Sequence, residues 1–334
     1  MPHIPKSILD ASPDIPGLTL RFCGKDSNQY NIPGYPGLLL SVRSNRCSVF
    51  KRVLPILIPR KGEVLNALSH FFTKSVIGPY CETDFIAAGE DIDSYLPIVA
   101  QGNPDLQRRA TVIKRLQRPR FQHIGRFHLT GRGWREYSVS GQIDDHVLIQ
   151  RFTNGSRLPF PVYTPTAKAM DESDEPISAE CMSDFYGSSL ERETLQLGHL
   201  VKEYVYKRGL ILADYKIEFS SDNANNKYVL VDEKFTTDTC RYWDKLMWEN
   251  VQHTGQLPST MGNQDLYDWG VAMGIDILDP ANSHHQTLVD NMKVPDDVVE
   301  ATTQSLLAAF YRLTDTQLEN YQSGVLKIKA HPSD

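Results

Sequence analysis

Between residues 210 and 243, apolar and charged residues alternate in a way that predicts a β-strand. Side chains of a strand point alternately to its two faces, so one face would be apolar and buried. The apolar positions are Ile211, Ala213, Tyr215, Ile217 and Phe219. The other face carries three charged residues, Asp214, Lys216 and Glu218. This pattern predicts a half-buried strand whose charged face is as typical of a solvated surface as of a functional site.

A hairpin follows from the next segment. Small and polar residues at 220–226 predict a turn, and an apolar run at 228–231 predicts the returning strand. Asp232 and Glu233 come next, beyond or beside the charged row according to a register that the sequence leaves open. Carboxylates near one ammonium suit Mg²⁺ and phosphate, because Mg²⁺ takes one or two carboxylates and completes its shell with waters and nucleotide oxygens. Further along, Arg241 adds a planar fork for an anion.

Other patterns predict a mixture of strands and helices. Strands are predicted at 18–23 and 37–42, with a loop at 24–36 between them. Helices are predicted at 62–73, from a cap at Ser188 or Ser189 to a stop at Gly209, and at 296–313. The acidic stretch 171–180 is predicted as a surface loop. Strand pairs in some regions and helices in others, without regular alternation, indicate an α+β fold.

The polar, arginine-rich stretch 101–120 marks the expected boundary between two lobes. We expect an N-terminal lobe at 15–115 and a larger C-terminal lobe at 116–334. A chain of 334 residues is long enough to bury a large core.

Composition narrows the class of protein. A net charge of -6 and a pI near 5.9 argue against a general nucleic-acid coat, although a local basic patch is compatible with them. Arginines and aromatic residues mix at 108–135, but the acidic balance disfavours a nucleic-acid surface there. Five widely spaced cysteines form neither a metal-ligand pattern nor a disulfide framework, which favours a reducing compartment. No apolar run approaches membrane-spanning length, and residues 1–14 carry too many prolines and charges for a secretory signal. We expect a cytoplasmic protein with neither nucleic-acid nor membrane partners.

Several motifs resemble those of the SAICAR synthetase (phosphoribosylaminoimidazole-succinocarboxamide synthase) family of purine-pathway ligases. Segments 212–219, 231–233 and 237–243 resemble its signature. Further similarities lie at 58–65, 131–137, 160–169 and 293–299, the last resembling the longer eukaryotic members. These landmarks follow the family order across most of the chain. The resemblance implies a two-lobed α+β fold with an N-terminal nucleotide-binding lobe.

The resemblance also implies a reaction. ATP phosphorylates the carboxylate of carboxyaminoimidazole ribotide, and the amine of L-aspartate displaces the phosphate. Four residues match the family's reacting centre and metal site: Asp214 and Lys216 would be catalytic, and Glu218 and Asp232 would bind Mg²⁺ and the nucleotide.

The same resemblance assigns residues to the nucleotide and to the ribotide. Lys25, in a Gly-Lys loop, and Lys168 would contact ATP. Arg126 and Arg241 match two arginines that hold the ribotide phosphate, a role that suits guanidinium forks. Arg132 replaces the family's serine in that grip, and Ser48 keeps a serine of a substrate-facing segment. An acidic pair of a family loop is matched by Asp174 and Glu175, although the flanking Ser173 and Pro176 depart from the pattern.

Further departures are Ser27, Phe127, His128 and three changes of charge: Asn45 and Lys51 stand where the family has aspartates, and Gln122 stands where it has a glutamate. They lie mostly in the part that faces the organic substrates, whereas the ATP and metal positions are retained. Two alternatives therefore stay open: a diverged ligase of a specialised pathway that uses another carboxylate or amine, and a non-catalytic nucleotide-binding relative. Retention of several charged positions disfavours the second alternative, since burying charges without a use is costly. We expect a monomer or a small homo-oligomer.

Overall fold

The computed structural model describes residues 3–5, 14–144, 146–149, 151–168, 174–186, 188–222 and 227–329. Helices and strands are mixed without regular alternation, which confirms the predicted α+β class. The chain forms two compact units. The first comprises Met1–His70, Asp84–Arg115 and Gly262–Asp334, and the second comprises Phe71–Thr83 and Leu116–Met261.

The bounds of the regular elements are as follows. The strands are β1 Thr19–Cys23, β2 Ser27–Asn31, β3 Leu38–Arg43, β4 Arg46–Val49, β5 Arg52–Leu57, β6 Phe85–Ala88, β7 Ala110–Lys114, β8 Phe121–His128, β9 Gln142–Ile143, β10 His146–Val147, β11 Arg157–Tyr163, β12 Thr166–Lys168, β13 Asp174–Pro176, β14 Leu210–Asp222, β15 Lys227–Val231 and β16 Cys240–Asp244. The α-helices are α1 Lys61–Phe72, α2 Pro104–Arg109, α3 Gly131–Ser140, α4 Ala179–Tyr186, α5 Ser189–Tyr206, α6 Lys245–Val251, α7 Gln264–Ala272, α8 Ser283–Asp290, α9 Asp296–Thr314 and α10 Leu318–Gly324. No helix in these ranges is both long and apolar enough to cross a membrane.

The first unit is built on an antiparallel sheet of five strands in the order β1-β2-β3-β7-β6. Its core includes Leu40, which pairs with Tyr30 on one side and Val112 on the other. The predicted strands at 18–23 and 37–42 are confirmed as β1 and β3. The loop predicted at 24–36 is wrong in part, because β2 lies within it. Its pattern was hidden because one of its inward residues, Asn28, is polar and finds a buried partner.

Residues 262–334 cluster with the first unit, unlike the linear division at residue 115 that the sequence suggested. Helix α10 explains the difference. Tyr321 Oη and His70 Nδ1 lie 2.7 Å apart, and Gln322 Nε2 donates to Glu63 Oε2 at 2.9 Å. The helices predicted at 62–73 and 296–313 are confirmed as α1 and α9.

The second unit contains a sheet of seven strands. Its path runs β13-β12-β8-β14-β15, while β11 also pairs with β8 and β16 also pairs with β14. Helix α5 packs on β14, where Tyr215 Oη donates to the carbonyl oxygen of Thr194 at 2.8 Å. Two glycines make room for the Tyr215 ring, since a Cβ at Gly125 or Gly198 would lie 2.2 or 2.0 Å from its hydroxyl oxygen.

The strand and hairpin predicted at 210–231 are confirmed as β14 and β15, and residues 223–226 of the turn lie outside the described residues. A half-buried strand is the wrong description, however. Asp214 and Glu218 are each 5% exposed, so both faces of β14 are buried and the solvated-surface alternative is wrong. Helix α5 begins at Ser189 as predicted, and Gly209 has the φ of +69° expected after a helix end. The prediction of a surface loop at 171–180 is wrong in part, because β13 and the start of α4 lie within it. Residues 171–173 lie outside the described residues.

Candidate active site

Strand β14 carries the charged row on which the site is built. Its register sets Asp214 opposite Arg126 of β8 and opposite Arg241 of β16. Four residues further on, Glu218 pairs with the last residue of β15, so Asp232 follows directly after the paired strand. The sheet thus brings two arginines to one end of the row and a second carboxylate to the other.

At the first end, two arginines share one carboxylate oxygen. Arg126 Nη1 donates to Asp214 Oδ2 at 3.0 Å, and Arg241 Nη1 donates to the same oxygen at 2.5 Å. Arg126 Nε also donates to Thr164 Oγ1 at 2.9 Å. Arg126 and Asp214 are buried, whereas the side chain of Arg241 is 42% exposed. Two positive charges and one negative charge leave this Arg126–Asp214–Arg241 cluster with an excess positive charge that reaches solvent through Arg241.

The electrostatics of the cluster favour an anion. Burial lowers the pKa of the Arg126 guanidinium, Asp214 opposes that shift, and the positive charges of Arg241 and Arg132 add to it. A buried charge needs a partner, and Asp214 supplies it here. A phosphate beside the two guanidiniums would relieve their remaining repulsion and bind both forks.

The first turn of helix α3 forms the floor under these guanidiniums. A Cβ at Gly131 would lie 2.8 Å from Arg241 Nη2, and the φ of +56° at this residue also favours glycine. A Cβ at Gly133 would lie 3.4 Å from Arg126 Nε. The first backbone N–H groups of a helix carry partial positive charge, so the floor adds to the attraction for an anion.

Arg132 also lies in this turn, but its guanidinium faces two acidic residues. Its Nη2 lies 3.5 Å from Asp144 Oδ1 and 3.9 Å from Glu136 Oε2, and its side chain is 32% exposed. The Arg132 guanidinium is therefore weakly held, while its charge acts on Arg126. Arg126 is 4% exposed, so it does not belong to a solvated basic strand face.

At the other end of the row, Lys168 Nζ donates to Glu218 Oε2 at 2.6 Å. Burial is the largest cause that raises the pKa of Glu218, and the charge of Asp232 raises it further. Lys168 and Lys216 act in the opposite direction. Asp232 is exposed and has a φ of +59°, a left-handed conformation that few residues other than glycine adopt without strain.

The donor set at this end fits Mg²⁺. Glu218 and Asp232 are two carboxylates close enough to disfavour each other's charge, and a divalent cation would relieve that repulsion. Within the described ranges, no three His, Cys, Asp or Glu side chains form a metal-binding group. Mg²⁺ commonly takes one or two carboxylates and its remaining ligands from phosphates and water.

The remaining candidate residues have defined places in their own units. Lys216 is half-buried on β14, and its backbone N–H donates to the carbonyl oxygen of Thr239 at 2.8 Å. Lys25 lies in the turn between β1 and β2, and Ser48 lies on β4; both are half-buried and belong to the first unit. Glu175 lies on β13 and is exposed, whereas Ser173 lies outside the described residues.

The chain matches a known protein family over most of its length. The family model for SAICAR synthetase matches residues 21–269 of the chain. The chain belongs to the SAICAR synthetase family. Among its relatives, the phosphoribosylaminoimidazole-succinocarboxamide synthase of Schizosaccharomyces pombe is 29% identical over 312 residues, covering 92% of this chain and 98% of that protein. The synthase of Cupriavidus metallidurans is 31% identical over 309 residues, covering 90% of this chain and 96% of that protein.

Solved structures agree with this SAICAR synthetase assignment. The Saccharomyces cerevisiae SAICAR synthase in complex with SAICAR superimposes with a TM-score of 0.75 at 26% identity, covering 93% of this chain and 99% of that one. A type-2 SAICAR synthetase in complex with ADP shares the fold, with a TM-score of 0.58 at 18% identity and coverage of 90% and 99%.

Four of the departures from the SAICAR synthetase pattern have internal contacts. Asn45 Oδ1 accepts from the backbone N–H of Gly62 at 2.9 Å, and Gln122 Oε1 accepts from Thr166 Oγ1 at 3.1 Å. Phe127 and His128 are 5% and 4% exposed. Phe127 packs against Tyr215, and His128 packs between Trp243 and Trp248.

Two residues of the candidate site were not predicted from the sequence. Thr164, which orients Arg126, stands in the motif at 160–169 but has no distinguishing spacing of its own. Asp144, the partner of Arg132, lies outside every motif. Neither could be found without the fold, because both contacts join segments that are distant in sequence.

Proposed function

We propose that this protein is an ATP-dependent, ADP-forming ligase that joins carboxyaminoimidazole ribotide to L-aspartate, the SAICAR synthetase reaction of de novo purine biosynthesis. One observation carries the proposal. The charged row of β14 has an arginine pair suited to a phosphate at one end and a lysine-carboxylate group suited to Mg²⁺-nucleotide at the other.

The reaction has two steps. A carboxylate oxygen of the ribotide attacks the γ-phosphorus of ATP, the bond from that phosphorus to the bridging oxygen breaks, and ADP leaves. The amine nitrogen of aspartate then attacks the carbonyl carbon of the acyl phosphate. The carbon–oxygen bond to phosphate breaks, inorganic phosphate leaves, and the nitrogen loses a proton. Positioning and charge neutralisation carry most of such phosphoryl transfer.

The Arg126–Asp214–Arg241 cluster forms the end of the charged row that binds the ribotide. Arg126 and Arg241 bind the ribotide phosphate over the first turn of α3, and Asp214 keeps both forks oriented. Arg132, one-third exposed, turns from Asp144 towards the same phosphate. Ser48, which matches a serine of a substrate-facing segment of the family, is also assigned to the ribotide.

The nucleotide end uses two lysines and two carboxylates. Lys25 and Lys168 bind the phosphates of ATP. Glu218 and Asp232 would hold Mg²⁺, which when bound supplies charge neutralisation at the β- and γ-phosphates. Lys216 lies between the two ends of the row and offsets the negative charge that develops at the reacting carboxylate.

The setting of the reaction is part of the proposal. We place the protein in the cytoplasm on the basis of its cysteine pattern, and we expect a monomer or a small homo-oligomer. Light scattering after gel filtration measures the oligomeric state, and fractionation measures the location.

Turnover tests the function directly. Purified protein with Mg²⁺-ATP, L-aspartate and carboxyaminoimidazole ribotide should release ADP and the succinocarboxamide in equal amounts, measured by chromatography with mass detection. Lys216→Met should lose turnover while keeping its fold. If the wild type forms no succinocarboxamide even at high enzyme concentration, the assignment is refuted.

A further inference from the structure

A buried guanidinium holds the turn between β1 and β2 from the inside. Arg46 is 0% exposed. Its Nη2 donates to the carbonyl oxygen of Gly24 at 2.8 Å, and its Nε donates to that of Lys25 at 3.2 Å. The same Nη2 donates to Asn28 Oδ1 at 2.7 Å, which ties the turn to the first buried residue of β2. One side chain therefore binds two successive carbonyl groups of the turn that contains Lys25.

The third carbonyl of the turn is held as well. Ser44 donates to the carbonyl oxygen of Asp26 from its backbone N–H at 2.9 Å and from its Oγ at 3.1 Å. The backbone N–H of Arg46 donates to Ser44 Oγ at 3.3 Å, which links the two holding residues. Lys61, also 0% exposed, approaches Asp26 Oδ1 to 3.4 Å and adds a second buried cation beneath the turn.

These contacts also determine where the backbone N–H groups of the turn point. In a planar trans peptide, the N–H points away from the C=O of the same unit. With the carbonyl groups of Gly24 and Lys25 directed at Arg46, the N–H groups of the residues that follow them are directed away from it. Successive backbone N–H groups that point the same way form an anion-binding concavity.

The tightness of the turn supports this arrangement. The backbone N–H of Gly24 donates to the carbonyl oxygen of Ser27 at 2.8 Å. A Cβ at Gly24 would lie 2.8 Å from that same oxygen, so glycine is required for the chain to close here.

We infer that Arg46 is a positioning residue that shapes this turn for the nucleotide phosphates, presenting its backbone amides beside Lys25. The inference rests on the proposed role of Lys25 in ATP binding. Lysine cannot replace Arg46, because a single ammonium lacks the planar fork that reaches two carbonyl groups and Asn28 together.

Three variants test this role. Arg46→Lys keeps the charge and loses the fork, and Ser44→Ala removes the hydroxyl that holds the Asp26 carbonyl. Arg52→Lys is the matched control, because Arg52 is a 5% exposed arginine of the same unit that donates to a backbone carbonyl, that of Asp279, away from the turn. Calorimetry gives the Kd of Mg²⁺-ADP, steady-state kinetics give the KM for aspartate, and thermal unfolding without nucleotide gives the fold stability.

Arg46→Lys should raise the Kd for ADP about tenfold and Ser44→Ala about threefold, because each loses hydrogen bonds that orient the turn. The KM for aspartate should stay within about twofold of the wild type, as should the Kd for ADP in Arg52→Lys. Equal ADP affinity in Arg46→Lys and Arg52→Lys would overturn the inference, and so would parallel losses for ADP and aspartate. If Arg46→Lys does not fold, Ser44→Ala decides by the same comparison. A wild type that fails to bind ADP would instead overturn the proposed nucleotide site and the inference with it.

Discussion

Replacing Asp214 with asparagine should destabilise the second unit strongly, because the change leaves Arg126 buried without its counter-ion. Arg126 and Asp214 side chains are 5% and 6% exposed, and their contact is 3.0 Å. Asparagine keeps the shape of the side chain and one oxygen acceptor. The loss of stability therefore measures the effect of the missing charge and not that of a cavity.

The size of the effect follows from burial. Removing one partner of a buried ion pair costs about 3–5 kcal/mol, since the other charge stays desolvated. The contact with Arg241 adds less, about 0–1 kcal/mol, because the Arg241 side chain is 42% exposed and screened by solvent. Asparagine still accepts a hydrogen bond, so we expect a net loss of about 2–4 kcal/mol.

Urea unfolding followed by tryptophan fluorescence suits this measurement, because Trp134, Trp243 and Trp248 all belong to the second unit. Glu249→Gln is the control, since it breaks an exposed pair with Lys245 at 3.8 Å in the same unit and should leave the stability almost unchanged. Added inorganic phosphate should restore part of the stability lost in Asp214→Asn by binding the free guanidiniums. A loss no larger than that of Glu249→Gln would refute the argument for a buried charge cluster.

Three further changes test other parts of the second unit. Glu218→Gln should be more stable than the wild type at pH 7. A carboxyl with a raised pKa contributes stability at low pH, and that stability is lost as pH rises through the raised pKa. Urea unfolding at pH 4 and 7 checks this, and lower stability of the variant at pH 7 would contradict it. His128→Phe should flatten the acid side of the stability profile, since burial lowers the pKa of His128 to about 3 and the stability present above its ordinary value of 6.5 is lost as pH falls. An unchanged slope between pH 6.5 and 4 would argue against it. Gly131→Ala should lower the free energy of unfolding by about 1–2 kcal/mol, because residue 131 has a left-handed φ. Its added Cβ meets Arg241, so the KM for the ribotide should rise while the KM for ATP stays unchanged. Equal rises in both KM values would indicate a general distortion.

Local sequence patterns predict most of the strands and helices. They fail where the residues that pack against an element come from distant segments of the chain. Strand β14 was recognisable from its alternation, yet its burial on both faces depends on helix α5 and on arginines of β8 and β16, which alternation cannot reveal. Strand β2 was missed for a related reason. Its inward residue Asn28 is polar, which is typical of a loop, and the sequence does not show that the buried Arg46 donates a hydrogen bond to it.

The candidate site divides in the same way. Residue types and family order identified Arg126, Asp214 and Arg241 together, and the structure joins them in one cluster. Sequence could not show that both arginines use a single oxygen of Asp214. That sharing depends on the register of three strands, and register is set by packing across the sheet.

The structure also changes what the departures from the family pattern say about substrate. Asn45 and Gln122 replace acidic residues, and both serve as hydrogen-bond acceptors inside the fold. An amide oxygen accepts a hydrogen bond as a carboxylate oxygen does, so these two changes are explained by structure without a change of ligand. Phe127 packs against Tyr215 in the interior and needs no ligand either, whereas neither ring nitrogen of the buried His128 has a hydrogen-bond partner among the described residues. Among the departures, Arg132 is the one that bears on the ribotide phosphate, because it lies beside Gly131 in the floor of the Arg126–Asp214–Arg241 cluster. There an added guanidinium strengthens the attraction for a phosphate, and the phosphate is the part of a ribotide that any related ribotide shares.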